Sequence, residues 1–151
     1  MLLLYCNSIG LGGTSKKTAL KRFLNNLKPT FLMIQETMLE GSKAETIIKE
    51  ILKDYEVEIL DVEGHYGGLL TAWSPVLKKN ASRKLDSVLE TKLNDKEIGM
   101  DFIFLNVYGP FYDRKVFWEK FSLSGAINQP NVILGGGSKS NPLSWTSLGR
   151  K

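Results

Sequence analysis

Two apolar runs flank an amphipathic segment near the start of the chain, and this arrangement limits the possible folds most strongly. Residues 2–6 and 31–34 are apolar without interruption, which is typical of strands buried on both faces of a sheet. Between them, apolar side chains recur at helical spacing from Ala19 to Leu27, with lysines on the opposite face. The pattern predicts a βαβ unit, whose two strands should be parallel and joined by a right-handed crossover.

Local signals define the ends of this helix and predict a second one. Thr14 or Ser15 is expected to cap the first helix, and the Lys–Pro pair at 28–29 should end it, because a residue before proline disfavours helical geometry. Residues 42–45 fit a capping box, and apolar residues at helical spacing follow them. They predict a second helix near 43–53.

The rest of the chain favours strands with one further helix. Asp113 is expected to cap a short helix, and residues 138–151 are polar without periodicity, so we expect them to form a loose polar tail. Strands are predicted over residues 55–60, 67–73, 85–93, 101–107 and 131–134. This order indicates an α/β fold, with a mixed sheet flanked by helices, in one domain over residues 1–137.

Charge is distributed unevenly along the 151 residues. The chain carries 20 Lys and Arg against 16 Asp and Glu, a net charge of +4. Residues 1–30 contain basic groups and no acid, whereas residues 31–63 are strongly acidic. The basic segment fits an ordinary solvated surface as well as an edge that faces nucleic-acid phosphate. Charge alone does not decide between these two interpretations.

The single cysteine, Cys6, excludes an internal disulfide and a cysteine-based zinc site. It is interpreted as a small buried apolar residue, and an intracellular, reducing compartment is expected. The N-terminal apolar run 1–6 is far shorter than the ~20 residues that a membrane span needs. The sequence therefore predicts no association with a membrane.

Polar residues end several of the predicted strands. In parallel and mixed sheets, sites form at the carboxyl ends of strands, and here these ends carry Asn7, Glu36, Asn106, Tyr108 and the glycines at 135–137. If the βαβ unit is correct, Asn7 and Glu36 should be neighbours, and their oxygens suit a hard cation such as Mg²⁺. Glu36 as an ordinary acid after a strand, and Tyr108 as a buried tyrosine with a bonded hydroxyl, are the alternatives.

Five segments together resemble a known superfamily. They match, in order and spacing, the N-terminal part of the endonuclease/exonuclease/phosphatase superfamily, and most closely the endonuclease region of plant non-LTR retrotransposons of the long interspersed element type. The segments are LLLYCNSIGLGG (2–13), LKPTFLMIQET (27–37), GGLLTAW (67–73), FLNVYGPFYDRKVFWEKF (104–121) and VILGGG (132–137).

The resemblance implies a two-sheet α/β sandwich that hydrolyses phosphodiester bonds of DNA with Mg²⁺ or Mn²⁺. It implies that Glu36 binds the metal, that Asn7 positions metal or phosphate, and that Tyr108 contacts the scissile phosphate. A functional retroelement endonuclease would act in the nucleus.

The chain also departs from the family pattern. Cys6 and Ile9 replace the tryptophan and arginine of the first motif, and Gly137, Ser138 and Lys139 stand where the family has Asp, Phe and Asn. In the family this aspartate activates or orients the attacking water, and the asparagine holds phosphate. Both groups are therefore missing from the expected catalytic set.

The single histidine, His65, matches no catalytic position, because the family's histidine belongs to a C-terminal part with no counterpart in these 151 residues. We therefore expect a truncated and catalytically impaired endonuclease domain. The alternatives are a non-catalytic remnant that binds nucleic acid or protein weakly, and a relic without a selected role. Non-specific self-association is expected in all three cases, because a partial domain leaves apolar surface exposed.

Overall fold

The computed structural model describes residues 1–61, 67–85, 87–109, 112–137 and 146–149. Nine strands and three α-helices form in these residues, with a short 3₁₀ helix at Ala126–Asn128. The elements are β1 (Leu2–Asn7), α1 (Thr14–Leu27), β2 (Phe31–Gln35), α2 (Gly41–Ile51), β3 (Glu56–Leu60), β4 (Leu69–Trp73), β5 (Leu77–Leu85), β6 (Val88–Asp95), β7 (Met100–Tyr108), α3 (Arg114–Leu123), β8 (Val132–Gly137) and β9 (Thr146–Gly149).

The first sheet contains five strands in the order β3-β4-β2-β1-β9. β1 and β2 are parallel, with Leu3 opposite Phe31 and Asn7 opposite Gln35, while the other pairs in this sheet are antiparallel. The predicted βαβ unit is therefore confirmed. Helix α1 ends at Leu27, directly before the Lys–Pro pair that was expected to stop it.

The second sheet contains four strands in the order β5-β6-β7-β8. β5, β6 and β7 form an antiparallel meander, and β8 returns parallel to β7 after helix α3. The ladder between β7 and β8 runs from Ile103 opposite Val132 to Tyr108 opposite Gly137. Both sheets are mixed, so the predicted α/β class is confirmed, with two sheets as the resemblance implied.

Alternation along the strands produces a layered core. One face of the first sheet packs on α1 and α2 through Leu4, Leu24, Ile34 and Ile48. Its other face meets the second sheet in an inter-sheet core of Phe31, Met33, Trp73, Leu77, Leu93 and Phe104. Helix α3 covers the outer face of the second sheet, where Phe121 packs near Leu105 and Val107.

Strand β5 was not predicted. Its side chains are all exposed except that of Leu77, so the sequence LKKNASRKL lacks the alternation by which a half-buried strand is recognised. Charged residues on an edge strand discourage pairing with other chains. The strand predicted over 85–93 is observed as β6, which begins three residues later and ends two residues later, at Val88–Asp95.

The three predicted side-chain caps are wrong. Gly13 occupies the N-cap of α1 and Glu40 that of α2, so Thr14 and Ser42 already lie inside their helices. Asp113 is the N-cap residue of α3, but its φ of 55° is left-handed and its side chain caps no backbone amide. Helix position is therefore set by packing on the sheets rather than by capping, because tertiary contacts contribute most of the stability of short helices.

The polar tail contains an unexpected strand. Residues Thr146–Gly149 form β9, which pairs antiparallel with β1, so the prediction of a tail without regular structure is wrong for these four residues. Backbone pairing at an open strand edge needs no apolar periodicity, which is why the sequence pattern did not indicate it. No helix in the described part of the chain is long and apolar enough to cross a membrane.

Candidate functional site

Glu36 and Tyr108 meet where the two sheets end side by side. The Tyr108 hydroxyl donates a hydrogen bond of 2.6 Å to Oε1 of Glu36. Glu36 is only 3% exposed, whereas Tyr108 is half-buried. Burial raises the pKa of Tyr108 above its ordinary value of 10.0, and the hydrogen bond to Glu36 raises it further, so the phenol stays protonated at neutral pH.

The backbone around Glu36 holds it in an unusual conformation. Glu36 directly follows β2 and has a φ of 53°, in the left-handed region that residues other than glycine rarely adopt. The Ser8 hydroxyl donates to the carbonyls of Gln35 and Glu36 at 3.0 and 2.9 Å. The Gly10 amide donates to the Glu36 carbonyl at 2.7 Å. The loop after β1 therefore clamps the loop that carries the carboxylate.

Asn7 lies at the end of β1, opposite Gln35 and so one residue from Glu36 in the ladder. It is buried, and its side-chain oxygen accepts a hydrogen bond of 3.2 Å from the amide of Ile9. The structure thus brings Asn7 beside the Glu36 loop, where its amide orders the turn after β1. The role in binding metal or phosphate that the resemblance implies for it stays a prediction.

A polar bridge, formed by Tyr5, Gln35 and Asn106, joins the two sheets directly beneath Glu36 and Tyr108. The Tyr5 hydroxyl donates to Oε1 of Gln35 at 2.8 Å. Nε2 of Gln35 donates to Oδ1 of Asn106 at 2.9 Å and to the Val107 carbonyl at 2.7 Å. Nδ2 of Asn106 donates back to the carbonyls of Ile34 and Leu70.

Sequence reasoning missed the bridge as a unit. Tyr5 appeared only as part of an apolar run, and Gln35 only as the neighbour of Glu36. The available signal was strand alternation, since residues 5 and 35 share the face of the sheet that looks away from α1 and α2. Burial raises the pKa of Tyr5 to about 12, and the nearby groups of Cys6 and Glu36 raise it as well.

The glycines of β8 bring the sheets close together at the same end. A Cβ at Gly135 would lie 2.5 Å from Sδ of Met33 and 3.1 Å from Cδ2 of Tyr5, so this position faces the other sheet. Alternation places residue 137 on the same face, and Gly137 is the ladder partner of Tyr108. The position where the family has an aspartate therefore lies beside Tyr108 and carries no carboxylate.

Other predicted positions lie outside the described residues: His65, Ser138 and Lys139. Within the described part of the chain, no group of three or more His, Cys, Asp or Glu side chains could hold a metal ion. The buried Glu36 carboxylate and the amide oxygen of Asn7 are oxygen donors of the kind that Mg²⁺ prefers. They fit a divalent cation, but with the charge of only one carboxylate.

Helix α1 presents basic side chains beside this site. Lys16, Lys17, Lys21 and Arg22 are exposed, and none of them forms an ion pair with an acid in the described residues. Nζ of Lys16 donates to the carbonyls of Ser8 and Ile9, in the loop that clamps Glu36. Lys16 thus places one positive charge on the loop after β1 that clamps the Glu36 loop.

Comparison with known proteins shows the fold. No family model matches the sequence, and no curated protein matches it. Solved structures do match: the human Nocturnin catalytic domain with bound sulfate has a TM-score of 0.67 at 14% identity, covering 90% of this chain and 62% of that one. An AP endonuclease from Archaeoglobus fulgidus has a TM-score of 0.68 at 16% identity, covering 90% and 56%.

A third structure is the 3′ phosphatase NExo from Neisseria bound to product DNA hairpin, with a TM-score of 0.65 at 13% identity, covering 90% of this chain and 56% of that one. All three have the endonuclease/exonuclease/phosphatase fold, and this chain shares it. The chain spans about 60% of the length of these structures. At such low identity the likeness establishes the fold and leaves the activity to be argued from the site.

Proposed function

We propose that this chain is a DNA-acting domain whose site for phosphate chemistry is centred on Glu36 and Tyr108. The observation that carries the proposal is the 2.6 Å hydrogen bond between these two side chains, at the edge where the strands of both sheets end. Two of the solved structures with this fold are an AP endonuclease and a 3′ phosphatase bound to product DNA. DNA is therefore the substrate class that we assign.

The residues of the site have distinct tasks in this proposal. Glu36, with Asn7 beside it, would hold Mg²⁺ or Mn²⁺. With phosphate in the site, the Tyr108 phenol would turn its single proton from Glu36 to a phosphate oxygen. When bound, the cation would supply positive charge that offsets the developing charge on the phosphate. Because only one carboxylate contributes, we expect binding in the millimolar range, measured by calorimetry and lost in Glu36→Gln.

We further propose a retroelement origin and impaired catalysis. The origin is supported by the NVYGP segment at residues 106–110 and the following DR and FW pairs, which resemble the plant elements. Impairment is supported by Gly137, which lies beside Tyr108 in the ladder without a carboxylate to orient water. A domain that still acted in retroelement integration would work in the nucleus.

Nicking of supercoiled plasmid tests the catalytic part. We expect no nicking in Mg²⁺ above that of a Glu36→Ala control, because residues that act as a catalytic unit lose most of the rate once one is removed. Metal-dependent nicking by the native chain that disappears in both Glu36→Ala and Tyr108→Phe would show an active enzyme and contradict impairment.

The exposed basic side chains of α1, which form no ion pair with the acids of the described residues, favour a second candidate function, a DNA-binding module without catalysis. Their test is the salt dependence of binding to a fluorescent DNA duplex. We expect Lys17→Gln, Lys21→Gln and Arg22→Gln together to weaken binding and to reduce the slope of log affinity against log salt by up to about 2.7, since each lost phosphate contact removes about 0.9.

A matched control removes the same charge elsewhere. Lys43, Lys49 and Lys115 already pair with Glu40, Glu45 and Glu119, so changing these three lysines to glutamine should leave the slope almost unchanged. Equal effects of the two triple variants would show that the net charge alone governs DNA binding, and would contradict a binding surface on α1.

A further inference from the structure

We propose that the polar bridge of Tyr5, Gln35 and Asn106 positions Glu36 against Tyr108, and that Gln35 is its central positioning residue. The inference rests on the proposed function in one respect: that function gives the Glu36–Tyr108 pair its purpose. Its geometry is independent of that function, because it concerns contacts within this chain. The bridge precedes the pair by one residue in the first sheet and by two residues in the second.

The hydrogen bonds of the bridge cross between the sheets in both directions. Gln35, on the first sheet, donates to Asn106 and to the Val107 carbonyl on the second. Asn106, on the second sheet, donates to the carbonyls of Ile34 and Leu70 on the first. Gln35 and Asn106 are fully buried, and a buried amide that loses its partners is costly. The bridge therefore fixes how the two strand ends face each other.

The bridge and the site residues are adjacent in both strands. Glu36 is the next residue after Gln35, and Tyr108 is two residues after Asn106, on the same face of β7. A shift at Gln35 or Asn106 is thus transmitted to Glu36 or Tyr108 through one or two residues. The close approach at Gly135, where no Cβ fits against Met33 and Tyr5, keeps the sheets near enough for these contacts.

The backbone of Glu36 needs such support. A left-handed φ is unfavourable for a residue other than glycine and persists only where surrounding contacts determine it. Two contacts hold the backbone at this point. The side chain of Gln35 fixes the residue before Glu36 to the second sheet, and the Ser8 hydroxyl bonds to the carbonyls of Gln35 and Glu36. Without the bridge, we expect Glu36 to relax and its carboxylate to leave the Tyr108 hydroxyl.

The test uses tyrosine labelled with ¹³C at Cζ, in the intact chain at neutral pH, without metal or DNA. The resonance of Tyr108 is assigned by its absence in Tyr108→Phe. Gln35→Met keeps the length of the side chain and removes its amide. In this variant we expect the chemical shift of Tyr108 Cζ to become that of N-acetyltyrosinamide in water, where the phenol has no carboxylate partner. Tyr5→Phe, which removes one hydroxyl, should move it the same way by less.

Thr71→Val is the matched control, because it removes a second buried inter-sheet contact, the 3.4 Å pair with Thr91. It should lower the denaturation midpoint while leaving the Tyr108 resonance in place. An unchanged resonance in whichever bridge variants fold, or an equal change in Thr71→Val, overturns the proposal. Absence of plasmid nicking leaves this result untouched, so the two proposals fail independently.

Discussion

Cys6 shows how burial governs chemistry at a single residue. It is 3% exposed in β1, and burial raises the pKa of its thiol to about 12, from an ordinary value of 9.0. The thiolate, which is the reactive form, is therefore absent at neutral pH. The interpretation of Cys6 as a small buried apolar residue agrees with this position.

The same shift predicts a loss of stability in alkali. Above pH 9.0 the unfolded thiol loses its proton while the folded one keeps it up to about 12, so the unfolded state binds fewer protons and the free energy of unfolding falls as pH rises. The slope approaches about 1.4 kcal/mol per pH unit for one group once the unfolded thiol is fully deprotonated, and is about half of that at pH 9.0. Urea titrations of the native chain and Cys6→Ala at pH 8, 9 and 10 measure it.

Cys6→Ala is less stable at pH 8 because it loses buried volume, but between pH 9 and 10 its stability should fall less steeply than that of the native chain. Above pH 10 both proteins should lose stability, since burial also raises the pKa values of Tyr5, Tyr55 and Tyr108. Parallel curves for the two proteins between pH 9 and 10 would show that the thiol is not the group responsible.

At the scale of elements, helix α1 ends on a residue that is poorly suited to its backbone. Lys28 occupies the C-cap with a φ of 44°, where glycine avoids the clash of a Cβ. We expect Lys28→Gly to raise the free energy of unfolding by about 0.5–1 kcal/mol. Glycine relieves the backbone strain at this position, but its greater conformational freedom in the unfolded chain offsets part of the gain.

Lys21→Gly provides the control in the middle of the same helix. Here glycine should destabilise by about 1 kcal/mol, because helical geometry costs it more conformational freedom than it costs other residues. Chemical denaturation of both variants checks the prediction. A decrease in stability for Lys28→Gly would contradict the strain at the C-cap.

The glycines of β8 differ in what surrounds them, although their sequence positions look equivalent. Gly135→Ala should cost about 1–3 kcal/mol, because its Cβ would overlap Sδ of the buried Met33 side chain and displace it within the inter-sheet core. Gly136→Ala should be nearly neutral, since its Cβ would find ordinary contacts at 3.5 Å and beyond. Equilibrium urea unfolding of the two variants should separate them, and equal midpoints would place β8 further from the first sheet.

Some elements of the fold are predictable from the sequence and others are not. The βαβ unit follows from periodicity, because apolar runs and helical spacing are local signals. β5 was missed because its exposed side chains carry no alternation. The start of α2 was misplaced because its N-cap residue, Glu40, makes no side-chain bond to a backbone amide. Glu36, Asn7 and Tyr108 were named from strand ends and from resemblance, but the bridge beneath them depends on contacts 71 residues apart that no local pattern encodes.

At the scale of the whole molecule, one side of the second sheet is incompletely covered. β8 is the last strand of that sheet among the described residues, and exposed apolar side chains lie on or near it: Leu123 at 86%, Leu134 at 43% and Ile127 at 38% exposure. The cluster around Phe121 of α3 reaches β8 at Val132, and Trp118 lies near Gly136, but Leu134 between these two positions stays exposed. Open strand edges and apolar patches both favour association between chains.

We therefore expect the purified 151-residue chain to self-associate with increasing concentration, as seen by size-exclusion chromatography with light scattering. Leu123→Lys with Leu134→Lys should shift it to the monomer, because two charges at this surface oppose contact between copies. Ile98→Lys is the control, since Ile98 is 49% exposed and lies in the turn between β6 and β7. A native chain that stays monomeric at every concentration, or one that Ile98→Lys disperses equally well, would show that the surface beside β8 does not drive association.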